Sequence, residues 1–348
     1  MTDLQALGWR NFFAAQLDEA ADGALAPARV MAVHRGRLEL DGEQVTGSVL
    51  LPKPIALGGP AVGDWVLVEP QGRRVCRVLE RAGVFRRRAA GEASKMQALA
   101  ANVDTVFVVT SANRDFNVAR LERYLALAHD AAAWPVVVIT KADQVASTDE
   151  FAAAARRLAP GLVVESLDAR DPAAMVRLLP WCGPGQTVAL LGSSGVGKST
   201  LVNSLAGAGL ATHAARPQDQ RGRHTTTARS MHRLPAGGWL IDTPGMRELR
   251  LAGVGDALDD VFTEIATLAA ACRFGDCRHD SEPGCAVRAA IESGALDAGR
   301  LARYHKLCAE DARNSASVAE RRQRERALGR SYRDVLTAQR RMKQGERE

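Results

Sequence analysis

Eight consecutive residues, Gly192 to Ser199, match the phosphate-binding pattern G-x4-G-K-S. The apolar run TVALL precedes the pattern and the helical run TLVNSLAG follows it, which is the strand, loop and helix context that this loop requires. Its glycines let backbone N–H groups point at phosphate oxygens, while Lys198 is expected to reach the β- and γ-phosphates and Ser199 to ligate Mg²⁺. The predicted nucleotide contacts of this loop are Gly192, Ser193, Ser194, Gly195, Val196, Gly197, Lys198, Ser199 and Thr200.

Two downstream segments carry residue types suited to sensing a γ-phosphate. Asp242 and Gly245 belong to the DTPG sequence after the run GGWLI, so a carboxylate is expected near the magnesium and a backbone N–H near the γ-phosphate. Between this sequence and the phosphate loop lies GRHTTT, in which Thr225 and Thr226 are predicted nucleotide contacts, with Thr226 joining Ser199 as a magnesium ligand. The alternative for these threonines is an exposed β edge.

A base-reading motif stands at the end of the run WPVVVI. It consists of Thr140, Lys141, Ala142 and Asp143, the T-K-x-D form of the guanine motif. The Asp143 carboxylate can accept two hydrogen bonds, from the guanine N1–H and the exocyclic amine, which adenine does not offer. The stem of Lys141 can lie along the base plane. A second base contact is predicted at Ser166, in the sequence ESLD at the next strand end.

The hydrolytic group is predicted by elimination. Many GTPases place a glutamine directly after the DxxG motif to orient the attacking water. Met246 occupies that position, and a thioether cannot position water by a strong hydrogen bond. His224, beside the threonines, is therefore the candidate catalytic residue, and slow intrinsic hydrolysis is expected. The alternative is a histidine that faces RNA or phosphate and has no catalytic part.

Three cysteines and one histidine lie within fourteen positions: Cys272, Cys277, His279 and Cys285. Three thiolates and one imidazole complete a tetrahedral Zn²⁺ shell with no position left for water, which predicts one structural zinc ion. The alternative is a set of ordinary buried cysteines. Asp280 and Glu282 are expected to solvate this loop rather than bind metal.

The elements that position these motifs fall into three groups. Residues 28–84 carry five short β-type runs separated by turns, typical of an OB-fold barrel. After residue 98, apolar strands alternate with amphipathic helices, which predicts a parallel sheet wrapped by helices; beyond about residue 255 the pattern is helical. Residues 1–27 are expected to form a short amphipathic helix that packs on the rest, and residues 84–97 a basic connector, either solvated or in contact with phosphates.

Composition is consistent with a folded, water-soluble multidomain protein. The chain has 348 residues, 46% hydrophobic and 25% charged, close to the averages of globular domains. No apolar run approaches the roughly 20 residues that cross a bilayer, and the start lacks a signal-peptide pattern, so a cytoplasmic location and no membrane partner are expected. From Arg313 onward, eleven Lys or Arg oppose five Asp or Glu, which accounts for the whole net charge of +6. This tail is either a solvated helix face or an RNA contact.

The base-reading motifs precede the phosphate loop, whereas an ordinary G protein has the opposite order. With this order, TKAD, GSSGVGKS, GRHTTT, DTPG and then a Cys/His cluster, the chain resembles the bacterial small-ribosomal-subunit-dependent GTPase A (RsgA) family over nearly its whole length. The resemblance implies an OB domain, a circularly permuted GTPase domain and a zinc domain that act in late maturation of the small ribosomal subunit, with subunit-stimulated GTP hydrolysis and His224 as the switch histidine. Thr140 in place of the usual Asn, and Ser166-Leu167 in place of Ser-Ala, depart from the family pattern.

The predicted fold is therefore multidomain, with an N-terminal OB-fold β-barrel, a central α/β P-loop GTPase domain that is circularly permuted, and a C-terminal α-helical zinc-binding domain. The predicted ranges are 1–27 for an N-terminal extension, 28–90 for the barrel, 95–255 for the GTPase domain, and 256–348 for the zinc-binding domain with its basic tail. The expected cofactors are GTP or GDP, Mg²⁺ and one Zn²⁺, and the expected partners are the rRNA and proteins of the small subunit, bound by a monomer.

Two other functions compete with this one. An ATP-using P-loop kinase would leave the Asp143 carboxylate poorly paired, because adenine lacks the two donors. A non-catalytic RNA-binding zinc protein would not need Lys198, Ser199 and Asp242 to be intact.

Overall fold

Five short strands close into a barrel at the N-terminal side of the chain. In this computed structural model, β1 pairs with both β2 and β4, β2 with β3, β3 with β5 in parallel, and β5 with β4. The strands are β1 (Ala26–His34), β2 (Arg37–Gly42), β3 (Gly47–Leu50), β4 (Trp65–Glu69) and β5 (Arg74–Val78). Alternate side chains, such as Val30, Leu40 and Val66, fill the barrel interior. This closed five-stranded ring is the predicted OB arrangement.

The structure describes residues 3–34, 36–51, 59–71, 73–88, 96–207, 229–242, 246 and 249–315. Across these ranges, no helix combines the length and the apolar character needed to span a bilayer.

The central sheet is mainly parallel. Its strands are β8 (Thr105–Ser111), β9 (Trp134–Thr140), β10 (Val163–Ser166), β11 (Thr187–Gly192), β12 (Arg229–Arg233) and β13 (Trp239–Asp242). Their order in the sheet is β10-β9-β8-β11-β13-β12, in which only β12 runs antiparallel to its neighbours. Sequence reasoning predicted the parallel strands and missed β12, whose sequence RSMHR lacks an apolar run.

Helices cover both faces of this sheet. On one face, Val108 and Ile139 pack in the core that includes Leu125; on the other, Val109 and Val138 pack in the core that includes Leu201. The helices of the chain are α1 (Asn11–Ala14), α2 (Glu19–Asp22), α3 (Val118–Asp130), α4 (Asp149–Arg156), α5 (Lys198–Ala206), α6 (Gly255–Val261), α7 (Thr263–Ala269), α8 (Ala286–Glu292) and α9 (Ala298–Ser315), with 3₁₀ helices at Ala142–Gln144 and Pro172–Trp181. From residue 255 to 315 the regular elements are all helical, as predicted.

The N-terminal segment packs between the barrel and the central sheet. Instead of the single amphipathic helix predicted, it forms the two short helices α1 and α2. Leu7 and Phe13 are fully buried, and the Trp9 ring stands edge-on to Trp65 of the barrel at 4.7 Å. The Trp239 indole of β13 donates to the Ala6 carbonyl at 2.8 Å. The expected packing role is therefore present, although the helix is not continuous.

The two ends of the segment predicted as a basic connector, residues 84–88 and 96–97, belong to a two-stranded antiparallel sheet, while 89–95 lie outside the described residues. Its strands, β6 (Val84–Arg88) and β7 (Met96–Ala101), pair from Val84 opposite Ala101 to Arg88 opposite Met96. The connector prediction was wrong because the run of arginines hid the strand pattern, while the apolar residues that face the core, Phe85 and Leu99, are separated in sequence.

A buried ion pair fastens the C-terminal helices to α3. Glu122 is fully buried, and its carboxylate accepts from Arg300 at 2.7 Å and from Arg303 at 2.9 Å. The Arg300 guanidinium also donates to the Leu158 and Val261 carbonyls, at 2.8 and 2.7 Å, and lies over the Phe262 ring. Arg300 Nε also donates to the Glu264 carboxylate at 2.6 Å. These acceptors compensate the burial of the Arg300 and Glu122 charges.

Replacing Glu122 with Gln should destabilise the protein by about 3 kcal/mol, since Arg300 and Arg303 lose the buried carboxylate that they share and Arg300 keeps only the partly exposed Glu264 as a charged partner. The measurement is urea unfolding at neutral pH. Glu292→Gln is the control, because Glu292 is exposed and lies 3.8 Å from Arg288, a geometry worth about 0–0.5 kcal/mol. Equal effects of the two substitutions would contradict this account.

Candidate functional site

The carboxyl ends of five parallel strands meet at one edge of the central sheet. In spatial order the edge carries Ser166 of β10, Thr140 of β9, Ser111 of β8, Gly192 of β11 and Asp242 of β13. From β8 the chain builds the sheet towards β10 on one side, and from β11 it builds the sheet towards β13 on the other. The boundary between β8 and β11 is thus a topological switch point, and in open α/β sheets ligands bind in the crevice at such a point. The base-reading motif therefore lies on one side of the phosphate loop and Asp242 on the other, although in sequence the order is permuted.

The phosphate loop has the backbone that its glycines were expected to provide. Gly192, Gly195 and Gly197 have φ of 150°, 82° and 91°, values that favour glycine. A Cβ on Gly192 would lie 2.4 Å from the Val109 carbonyl oxygen, so a side chain there does not fit. The buried Lys198 ammonium donates to the Gly192 carbonyl at 2.7 Å and also to that of Ser193. Ser194 and Ser199 are exposed, and Thr200 is half-buried in the first turn of α5.

Thr140 joins the base-reading strand to the phosphate loop. Its hydroxyl is fully buried and donates to the Val196 carbonyl of the loop at 2.6 Å, the shorter of its two contacts, while the Thr110 carbonyl lies 3.0 Å away. Gly197 fits against the same side chain, since a Cβ there would come within 3.3 Å of the Thr140 hydroxyl. Thr140 stands where the family pattern has Asn, and in the structure its hydroxyl contacts the phosphate loop.

The Asp143 carboxylate belongs to a three-residue cluster that sequence reasoning missed. Arg170 donates through Nη2 to Asp143 Oδ2 at 2.6 Å, and through Nε to Asp168 Oδ1 at 3.1 Å. The hydrogen bonds from the Arg170 side chain, followed by that from its backbone N–H, hold the pKa of Asp168 below its usual value. Arg170 stands two residues after the end of the ESLD sequence, but nothing in the sequence indicates that it reaches Asp143.

Further contacts hold the second base loop. Lys141, half-buried, adopts a left-handed backbone with φ 58°, and Ala142 donates to the Leu167 carbonyl at 3.4 Å. The Ser166 carbonyl accepts from Arg177 at 2.8 Å. Ser204 of α5 donates to the Ala169 carbonyl at 2.6 Å, so the helix after the phosphate loop supports this loop directly. These bonds bring Lys141, Ser166 and the phosphate loop into one structural unit.

On the γ-phosphate side only part of the prediction can be located. Asp242 ends β13 with an exposed side chain, and Met246 is buried at 2% exposure, so its thioether faces the core. The predicted contacts His224, Thr225, Thr226 and Gly245 lie outside the described residues.

The segment that follows DTPG is bound to the last described helix. Arg123 of α3 donates to the Leu249 carbonyl at 3.0 Å and pairs with Glu310 of α9 at 2.7 Å. The backbone N–H groups of Gly253 and Val254 donate to Ser315 and Asp311 of the same helix, at 2.8 and 3.1 Å. The chain downstream of Asp242 is thus attached to both α3 and α9.

The four predicted metal ligands converge. The ligand atoms of Cys272, Cys277, His279 and Cys285 all lie within 4.8 Å of one another. Cys272 Sγ is 3.9 Å from Cys285 Sγ, and His279 Nδ1 is 3.6 and 3.4 Å from these two sulfurs. Tetrahedral zinc with its usual bond lengths requires S···S of about 3.8 Å and S···N of about 3.6 Å. The donor set and its spacing therefore fit Zn²⁺, and a separation of 3.9 Å excludes a disulfide.

Glu282 organises the loop between these ligands. Its carboxylate accepts from the backbone N–H groups of Arg278, Asp280 and Ser281, at 2.8, 2.9 and 3.1 Å. The bond from Arg278, followed by that from the backbone N–H of Glu282 itself and then those from Asp280 and Ser281, lowers the pKa of Glu282 to about 2. The expectation that Glu282 acts on the loop and not on the metal agrees with this geometry.

Comparison with known proteins now identifies the family. The RsgA GTPase family model matches residues 78–252. The chain is 51% identical over 313 residues to a Mesorhizobium japonicum protein named small ribosomal subunit biogenesis GTPase RsgA, covering 89% of this chain and 90% of that protein. It belongs to the RsgA GTPase family. A Vibrio parahaemolyticus protein, small ribosomal subunit biogenesis GTPase RsgA 2, is 46% identical over 98% of this chain and 95% of its own length.

Two solved structures share the fold. YjeQ from Thermotoga maritima matches with a TM-score of 0.61 and 24% identity, covering 81% of this chain and 97% of its own. YloQ, described as a circularly permuted GTPase, matches with a TM-score of 0.59 and 22% identity, covering 86% and 100%. The permuted strand order of the RsgA GTPase fold, predicted from the sequence, is confirmed.

Replacing Thr140 with Val should weaken GDP binding about two- to tenfold, because the Val196 carbonyl loses its donor and the phosphate loop loses a tether. Calorimetric titration with GDP measures this. Thr140→Ser keeps the hydroxyl and should restore binding, and the preference for GDP over ADP should not change in either variant. Equal losses in the Val and Ser variants would show that the hydroxyl is not responsible.

Proposed function

We propose that this protein hydrolyses GTP to GDP and phosphate on the small ribosomal subunit and promotes late maturation of that subunit. The observation that carries the proposal is the hydrogen bond between Thr140 and Val196, which fixes a guanine-type motif against a phosphate loop at one sheet edge. Family membership and the names of the relatives support this activity over an ATP-using kinase or a non-catalytic zinc protein.

Guanine recognition is assigned to the β9 and β10 ends. Asp143 would accept from the N1–H and the exocyclic amine of the base, while the stem of Lys141 lies along the ring and Ser166 contributes a second loop contact. Asp143 remains partly exposed, so a base can approach it from solvent. Adenine offers no equivalent donor pair, which makes this site selective for guanine.

Phosphate binding is assigned to Gly192 through Thr200, with Asp242 and Gly245 near the γ-phosphate. Ser199, Asp242 and Thr226 have oxygen ligands of the kind that Mg²⁺ prefers. When bound, Mg²⁺ neutralises negative charge that develops on the phosphates during hydrolysis. Lys198 must exchange its bonds to the Gly192 and Ser193 carbonyls for phosphate oxygens, an exchange of acceptors that keeps the ammonium paired. Thr225 and Thr226 are proposed to close over the nucleotide.

The attacking water needs a polar group, and we assign that role to His224. The burial of Met246 supports this assignment, because the residue that follows DTPG cannot reach the nucleotide from the core. Without an optimised glutamine, intrinsic turnover is expected to be slow.

The remaining parts of the chain are proposed to bind the ribosome. The barrel, near residues 28–90, and the helical zinc-binding domain, 256–348, would contact rRNA and ribosomal proteins on either side of a GTPase domain at 95–255, with 1–27 as an extension. Exposed arginines of the barrel, among them Arg37, Arg73 and Arg74, support phosphate contact, as does the net charge of the tail. We further propose that the protein acts as a monomer in the cytoplasm.

Nucleotide turnover tests the activity. The purified protein should hydrolyse GTP and not ATP, at a rate on the order of 10⁻³ per second or slower, and small subunits should raise this rate at least about tenfold. His224→Ala should lower the stimulated rate about a hundredfold without weakening GDP binding. ATP turnover, or indifference to small subunits, would overturn the proposed function, and an unchanged rate in His224→Ala would remove the histidine from the mechanism.

Metal analysis tests the zinc centre. We expect one zinc ion per chain in the purified protein, lost in Cys277→Ala because three ligands cannot complete the shell. Cys76→Ala is the matched control, since Cys76 is exposed in the barrel, away from the cluster, and should keep the metal. Wild-type protein free of zinc, or zinc retained by Cys277→Ala, would contradict the assignment.

A further inference from the structure

The arginine that bridges the two base loops is the starting observation. Arg170 contacts Asp168 through both Nε and Nη2, at 3.1 and 3.2 Å, and its backbone N–H donates to the same carboxylate at 2.9 Å. Its contact with Asp143 is a single one, Nη2 to Oδ2 at 2.6 Å. One guanidinium thus spans two carboxylates, one of which is the proposed guanine reader.

We propose that Arg170 competes with guanine for the Asp143 carboxylate and thereby weakens the binding of guanine nucleotides. The proposal rests on the proposed guanine site at Asp143. Guanine presents two N–H donors to this carboxylate and needs both of its oxygens, whereas Oδ2 already accepts from Arg170. The guanine base and the Arg170 guanidinium both offer N–H donors, and both would donate to Asp143 Oδ2.

Displacement of Arg170 from Asp143 is inexpensive because Asp168 retains it. Once the single bond to Asp143 breaks, the two bonds to Asp168 still neutralise the guanidinium. The Arg170 side chain is 65% exposed, so the pair with Asp143 is solvated and worth little compared with a buried pair. Arg170 thus lowers the affinity for guanine by a modest factor and does not block the site.

The residue acts on the base and not on the phosphates. No described contact links Arg170 to the phosphate loop, whose lysine donates to Gly192 and Ser193. GDP and GTP should therefore be weakened equally. Weaker binding of both nucleotides favours faster release of GDP after hydrolysis, since affinity differences between related complexes lie mainly in the dissociation rate.

Calorimetric titration with GDP and with ADP tests this inference. Arg170→Ala should tighten GDP binding about two- to fivefold, the range for an exposed ion pair. Asp168→Asn should act in the opposite direction and weaken GDP binding, because Arg170 then has only Asp143 as its carboxylate partner. Arg157→Ala removes an exposed arginine from the end of α4 and controls for net charge; it should leave GDP affinity unchanged.

Salt separates competition from a structural role. The affinity ratio between Arg170→Ala and wild type should shrink from 50 to 500 mM salt, because screening weakens the exposed pair. If Arg170 instead only stabilised the two base loops, its removal would weaken GDP binding. Unchanged or weaker GDP binding by Arg170→Ala therefore overturns the proposal. If wild type binds ADP as well as GDP, or if Asp143→Asn keeps the wild-type preference for GDP, the guanine site itself is wrong. If wild type prefers GDP, Asp143→Asn loses this preference and Arg170→Ala is not tighter, only the role of Arg170 is wrong.

Discussion

Parallel pairing of five strands, three of them buried, is the constraint on which the candidate site depends. The strands β8, β9 and β11 are buried on both faces, and because they run parallel, their carboxyl ends lie along one edge. The edge is the same whichever strand comes first in the chain. A permuted sequence therefore rebuilds the spatial order of a G protein, with the base motif at Thr140, the phosphate loop at Gly192 and the Asp242 carboxylate side by side.

Buried arginines hold the parts around this sheet together. Arg29 of β1 donates to the carbonyls of Gly63 and Asn102 and of Leu7 in the N-terminal segment. Burial lowers the pKa of Arg29 to about 10, so it stays charged at neutral pH and needs these acceptors. Arg300 likewise donates to Glu122 and to the Leu158 carbonyl, between α3 and the C-terminal helices. A buried cation without its acceptors is costly, so each junction has one strongly preferred arrangement.

The barrel and the C-terminal helices are both hydrogen-bonded to the chain segments beside the candidate nucleotide site. Strand β12 pairs with β13, which carries Asp242, and also with β1 of the barrel, where Ala32 lies opposite Ser230. On the other side, the segment after DTPG is held by Arg123 and by α9. The two sides of the γ-phosphate region are therefore connected by hydrogen bonds to the barrel and to α3 and α9.

The sequence by itself determined the local chemistry: the glycines that the phosphate loop requires, the T-K-x-D at a strand end, the four metal ligands and the alternation of barrel strands. Each of these features depends on residue types at a fixed, short spacing along the chain, so it can be recognised from the sequence alone. The tertiary structure decided that Thr140 donates to the phosphate loop and that Arg170 donates to Asp143. It also decided that residues 84–88 and 96–101 pair, and that β12 joins the barrel to the central sheet. These contacts join residues far apart in sequence, or in runs with no apolar periodicity, and only packing of the whole chain brings their donors and acceptors within hydrogen-bonding distance.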